Sequence, residues 1–253
     1  MAENPVQPIQ SIERRLRRAI DDLYFAFDAY GSPSILHGSP YRDVDAILKD
    51  ITSAPLRELH PESLSYFAAT AMTTVGEVET YKHFLPRILE LALSDQDGLG
   101  LDPEVIAGKL LYAGWNDWPD MERRVIAKLL DLAWMRARRQ HPDEEDASCW
   151  LCAIAMLDLD VAENLDGWLR DMTPDAAVQL AWFLHMEAEH IVKGDSYWED
   201  VAVAKRKLVS DWLCSDALQM ALLAVIGEVA DDDQWRLDMI DEHIAILKQT
   251  DWR

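Results

Sequence analysis

The stretch LDPEVIAGKLLYAGWNDWPDMERRVIAKLLDLAWMRARR, Leu101 to Arg139, decides the fold. Asp102-Pro103-Glu104 opens a helix with a capping carboxylate, a proline whose missing N–H costs nothing in the first turn, and an acid at the positive dipole end. Gly114 stands where the left-handed residue that ends a helix belongs. Asp117-Trp118-Pro119-Asp120 begins a second helix, and Arg136, Arg138 and Arg139 place cations on its negative end. Val105, Ile106, Leu110 and Leu111 give the first helix an apolar face. Met121, Val125, Leu129, Leu132 and Met135, at steps of three and four, give one to the second. The spacing predicts two antiparallel helices joined by a tight Gly-Trp-Asn-Asp corner.

The same period runs outward through the chain. Ile12, Leu16, Ile20, Leu23, Phe27 and Tyr30 mark an amphipathic helix from about Ile9 to Tyr30, after a flexible lead-in over residues 1–8. Its outer face carries Arg14, Arg15, Arg17 and Arg18, which Asp21 and Asp22 are placed to offset. Gly31 to Pro40 is a Gly-, Ser- and Pro-rich loop, followed by a short helix near Asp43 to Ile51 and another from His60 to about Thr74. Glu77 to Leu93 is helical around Pro86, which must kink or divide it. Beyond the hairpin, helices are predicted at about Asp146–Leu157, Asp160–Arg170, Thr173–Lys193, Glu199–Leu213, Asp216–Val229 and Asp232–Thr250. No segment alternates with period two between hairpin turns, so no sheet is expected.

Pro61, Pro103, Pro142 and Pro174 each open a predicted helix, at intervals close to the length of a helical-pair repeat. The expected fold is all-α: stacked antiparallel hairpins, as a HEAT-like solenoid or an irregular helical bundle. It is taken as one domain over 1–253, near-neutral through residue 140 and strongly acidic from 141 onward.

The formal charge of −22 excludes unassisted binding to a nucleic-acid backbone and opposes docking on anionic membranes. No basic-then-apolar leader opens the chain, and the best apolar run, Ala217 to Ile226, is too short to span a bilayer. Cys149, Cys152 and Cys214 are too few for a disulfide framework, so a cytoplasmic setting is expected.

Chemical motifs are sparse. Cys149-Trp150-Leu151-Cys152 has the C-x-x-C form but lies in an apolar helical run with no second ligand pair, which suits two core residues. His185, Glu187, Glu189 and His190 share one helix, with Glu187 and His190 at the Glu-x-x-His step of di-iron bundles. That motif occurs once, and completing a site would require Asp238, Asp241, Glu242 or His243 from the last helix. Neither a nucleophile elbow nor a Gly-rich phosphate loop is present. The reading is therefore non-enzymatic, with no cofactor and no metal.

Two distributions point to binding. All ten tryptophans fall between Trp115 and Trp252, and tryptophan serves both cores and interfaces. Residues 1–140 hold 21 acids against 16 bases, whereas residues 141–253 hold 25 against 8. Helix starts account for some of these acids. The remainder make an anionic docking surface, led by Asp231, Asp232 and Asp233, then Glu144 and Glu145, with Trp235 as the anchor.

Phe84-Leu85-Pro86-Arg87-Ile88-Leu89-Glu90-Leu91, then Gly108-Lys109-Leu110 and Ala113-Gly114-Trp115 through Trp118-Pro119, resemble a group of all-helical bacterial proteins of unassigned function. The likeness spans about residues 77–139 and brings no catalytic residues with it. In type rather than in motif, the acidic, Trp-rich, helical chain is also similar to immunity proteins that neutralise bacterial toxins. That likeness implies a basic protein partner, such as a nuclease effector. The alternatives are a HEAT-like scaffold or adaptor and, third, a metal-dependent helical-bundle enzyme.

Overall fold

The computed structural model describes residues 6–94, 101–249 and 252. Among them the chain is all-helical, with no strand and only isolated bridges of Val75 to Gly38 and Ala71. It gathers into two compact units, Arg14–Leu129 and Met1–Glu13 with Leu130–Arg253. The division falls inside two helices, α1 (Val6–Ala26) and α6 (Asp120–Ala137), and not at the 140/141 change in charge.

In the Arg14–Leu129 unit, α2 (Val44–Ile51), α3 (Pro61–Thr70), α4 (Val78–Ala92) and α5 (Pro103–Tyr112) follow in order, each packed on the next from α2 to α5. Their starts follow the cap chemistry. Asp43 accepts a bond from the Ala46 N–H at 3.0 Å, and Pro61 and Pro103 open their helices. Leu16, Leu23, Phe67, Tyr81, Phe84 and Ile88 are buried, with Phe67 and Phe84 edge to face at 5.2 Å. Each such side chain contributes about 1.5–3 kcal/mol of burial.

The two helices of the 101–139 stretch, α5 and α6, form where the spacing predicts, with the single turn Trp115–Asp117 between them. Gly114 takes φ +69°, a left-handed conformation that suits glycine, and the Trp118 indole donates to the Ala113 carbonyl at 3.0 Å. Three details differ. Asp102 makes no side-chain cap bond. Met121 is exposed, because Glu122 takes the inward position and meets Lys82 at 2.6 Å beneath the Tyr30 hydroxyl. Arg138 is buried: it donates to the Gly167 carbonyl and, with Arg139, to Asp171. Against the cost of its partial burial, those two guanidiniums hold the Asp171 carboxyl below the usual carboxylate range.

Other expectations also shift. Helix α1 begins at Val6 and ends at Ala26; residues 1–5 of the expected lead-in lie outside the described residues. Pro86 does not divide α4. Asp21 and Asp22 pair with Arg57 and Lys128 instead of the arginines on α1. The predicted helix at Asp232–Thr250 is broken into a single turn at Asp231–Asp233, α12 (Gln234–Asp238) and α13 (Ile240–Lys248); Thr250 lies outside the described residues.

The second unit is organised around α9 (Pro174–Lys193). Around it pack α7 (Ser148–Met156), α10 (Val203–Leu213), α11 (Asp216–Val225), α12 and α13. α8 (Val161–Arg170) meets α7, α10 and α11. Thr173 caps α9 and Gly194, at φ +66°, ends it. Its residues Val178, Leu180, Phe183, Leu184 and Ile191 are buried, so the helix is held on several sides by apolar contact. Trp134 and Trp168 meet edge to face at 5.0 Å in the same core.

Candidate partner-docking surface

The predicted acidic residues meet in one place, and the residue that joins them is basic. Two stretches are brought together: the 141–146 corner after α6, and the 231–236 turn before and into α12. Arg236 is largely buried and donates through Nη2 to Asp143 at 2.7 Å and through Nη1 to Asp233. His141 Nδ1 accepts from the Asp143 N–H at 3.1 Å, which leaves Nε2 to donate to Asp233 at 3.1 Å. The Arg236 guanidinium also lies 4.9 Å from the Trp235 ring centroid and 5.6 Å from that of Trp182.

The corner itself is pinned from below by α9. Gln179, with no solvent exposure, donates to the carbonyls of Ala137, Gln140 and Glu145. The Trp182 indole donates to Asp146 at 3.2 Å, while Asp146 accepts from the Ser148 N–H at the start of α7. These bonds satisfy backbone groups that an irregular corner would otherwise leave open.

This framework sorts the six predicted residues. Asp231, Asp232 and Glu144 are exposed and make no ion pair among the described residues. Trp235 is 49% exposed, the one exposed tryptophan of the ten. Asp233 and Glu145 are turned inward, contrary to their predicted surface role. Asp233 is held by Arg236 and His141, and its side chain is 15% exposed. Glu145 accepts two bonds from Arg136 at 2.7 Å and one from the Trp150 indole at 3.2 Å, with 11% of its side chain exposed. Fork-to-fork pairing of this kind fixes geometry and removes the carboxylate from outside partners. Asp143 takes the outward position instead, 68% exposed.

The histidine segment on α9 is arranged differently from a ligand set. α13 does pack on α9, and His185 Nδ1 lies 3.2 Å from His243 Nε2. Glu187, however, accepts from the Trp198 indole at 2.6 Å, Glu189 pairs with Lys193, and His190 meets Asp195 at 2.6 Å. Among the described residues no three His, Cys, Asp or Glu side chains converge as a metal site. Cys152 is buried and Cys149 half-buried in α7, neither of them in a disulfide.

The sequence contained a signal for this framework: Arg236 is the single cation within a run of acids, Asp231 to Asp238. The outward apolar side of α11, with Met220 and Leu223 exposed, had no comparable signal, because after Asp216 its run is interrupted only by Gln219. Compared with protein-family models, with curated proteins and with solved structures, the chain matches none of them.

Proposed function

We propose that this protein is a non-enzymatic binding module that docks a cationic protein partner through Trp235 and the exposed acids Asp143, Glu144, Asp231 and Asp232. The single observation that carries this reading is the half-exposed Trp235 stacked on Arg236, whose other contacts hold both acidic stretches in place. An aromatic rimmed by exposed charge is the composition of an interface hot spot, with the indole supplying affinity and the acids supplying encounter rate. The most concrete version is a cytoplasmic immunity protein that neutralises a basic toxin, such as a nuclease effector. Its acids would then occupy the surface that the toxin presents to an anionic substrate.

The test is recovery of the partner from the native host with the intact protein and with Trp235→Ala. A basic partner that is retained by the first, lost by the second, and relieved of its toxicity by the first supports the reading. A partner of acidic or neutral charge, or one retained equally by both, rejects it. A scaffold or adaptor role is the second reading, favoured by the neighbour-on-neighbour packing of α2 to α5; several partners recovered together, with no toxin gene beside this one, would support it.

A further inference from the structure

Helix α11, DALQMALLAV, turns an apolar side outward. Leu218 and Leu222 are buried, whereas Ala217, Met220, Leu223 and Ala224 are exposed, Met220 at 72% and Leu223 at 73%. At 100° per residue the four lie within an arc of roughly 120°. The outward side of a surface helix ordinarily carries polar residues, and a contiguous apolar face there marks a contact.

Charge selects the occupant. Asp216 opens the helix, while exposed Glu228, Asp231 and Asp232 follow its C-terminal end, where the backbone dipole is already negative. The helix has no Lys or Arg, and the nearby cation Arg236 is committed to Asp143 and Asp233. A second copy laid antiparallel would bring Asp216 against Glu228 and Asp231, and one laid parallel would set the same acids side by side. Both pairings repel. An anionic lipid surface is opposed by the same charges. Together α10 and the segment Asp216–Glu228 pass for a bent membrane pair by length and composition, yet Val209, Leu213, Leu218 and Leu222 are buried within the unit. Only one side of α11 is left to meet anything.

We infer that this face is the seat of an amphipathic helix of the partner, its apolar stripe on Met220 and Leu223 and its basic end over Glu228, Asp231 and Asp232. Methionine adapts to varied apolar surfaces, and an apolar stripe at three- and four-residue steps is the usual way one helix reads another. The inference rests on the proposed cationic partner for the identity of the helix, and it adds which element of that partner is held.

The probe is a synthetic helical peptide with a leucine stripe and lysines at one end, beside a second peptide with glutamates in place of the lysines. Binding to the full-length protein is read by fluorescence anisotropy. The lysine peptide should bind, weaken with salt, and lose roughly tenfold or more in affinity in Met220→Glu and in Leu223→Glu. The glutamate peptide should bind at least about tenfold more weakly. Both positions are solvent-facing, so circular dichroism and melting temperature should hold in the variants. Lysine-peptide binding that is absent, or unchanged in both variants, overturns the inference. Concentration-dependent self-association abolished by Leu223→Glu overturns it in favour of a homodimer face, and co-sedimentation with phosphatidylcholine vesicles lost in the same variant overturns it in favour of a membrane. Trp235→Ala reports on the docking reading and the α11 variants report on this one, so either can fail alone.

Discussion

Arg236 donates through Nη2 to Oδ1 of Asp143 at 2.7 Å, a bond that spans 93 positions of sequence. The same guanidinium reaches Asp233, so one side chain fastens the 141–146 corner to the turn before α12. Replacement by methionine keeps the stem but leaves Asp233 partly buried beside His141 without its cation. Such an uncompensated carboxylate should cost about 2 kcal/mol, and Arg236→Lys should recover only part of it because lysine lacks the planar fork. Urea unfolding measures both; a loss below about 0.5 kcal/mol in the methionine variant would mean the two stretches stand without this tie.

Glu144 and Glu145 are neighbours with opposite situations, and alanine should separate them. Glu145→Ala removes two 2.7 Å bonds from Arg136, itself largely buried, which keeps its longer contact to Glu13 at 3.4 Å, and should cost about 2 kcal/mol. Glu144→Ala removes an exposed carboxylate and should stay within about 0.5 kcal/mol. Equal effects in equilibrium unfolding would contradict the assignment of Glu145 to the interior.

Stability should fall on mild acidification through His243. Burial, and then the adjacent His185, push this imidazole below the ordinary histidine value, against the opposing pull of Glu242 and Glu189. Its buried Nδ1 has no hydrogen-bond partner among the described residues, so a proton there would find no acceptor among them. A base with a depressed folded pKa takes up fewer protons than in the unfolded chain, so its contribution is intact above about pH 6.5 and is lost as pH falls below it. His243→Gln should flatten the stability profile between about pH 7 and about pH 5. A slope unaltered by that substitution would assign the acid sensitivity to other groups.

Once the partner is in hand, the two halves of the docking surface should act on different rate constants. Asp231→Lys with Asp232→Lys should slow association and reduce its dependence on salt, since exposed charges are screened over about 8 Å at physiological ionic strength. Trp235→Ala should instead speed dissociation, with a cost of roughly 2 kcal/mol or more. Stopped-flow association and dissociation that ignore both changes would leave the acids with a solubilising role alone.

The three thiols should be slow to react. Cys152 is buried in α7, and burial pushes the Cys214 thiol above its ordinary value, which lowers the thiolate fraction that alkylates. Labelling should be slow in the native protein and fast in denaturant; rapid native labelling of Cys149 or Cys152 would restore a redox reading of the C-x-x-C pair.

Helix placement was legible because its determinants are local. Pro103 and Gly114 bracket α5, Asp160 caps α8 by accepting from the Glu163 N–H, and Thr173 and Gly194 bracket α9, all within a turn of the residues they control. Periodicity found Val125, Leu129 and Leu132 among the inward positions of α6 but missed Ile126, Leu130 and Trp134, and it missed Glu122, since an acid is buried only when a partner such as Lys82 comes from another helix.

From sequence alone came the all-helical class, most of the helix starts and the concentration of acids after residue 140. The tertiary structure decided which of those acids face outward. Asp233 is turned inward by His141, 92 positions away, and by Arg236, three residues on and itself tied to Asp143 across 93 positions, whereas Glu145 is turned inward by Arg136 on α6. It also decided which side of α11 meets the core, because a run whose one polar residue after Asp216 is Gln219 carries little periodic mark of its own orientation. Capping energies act between residues a turn apart and can be read in order along the chain. Ion pairing and burial act between surfaces that exist only after the helices have packed.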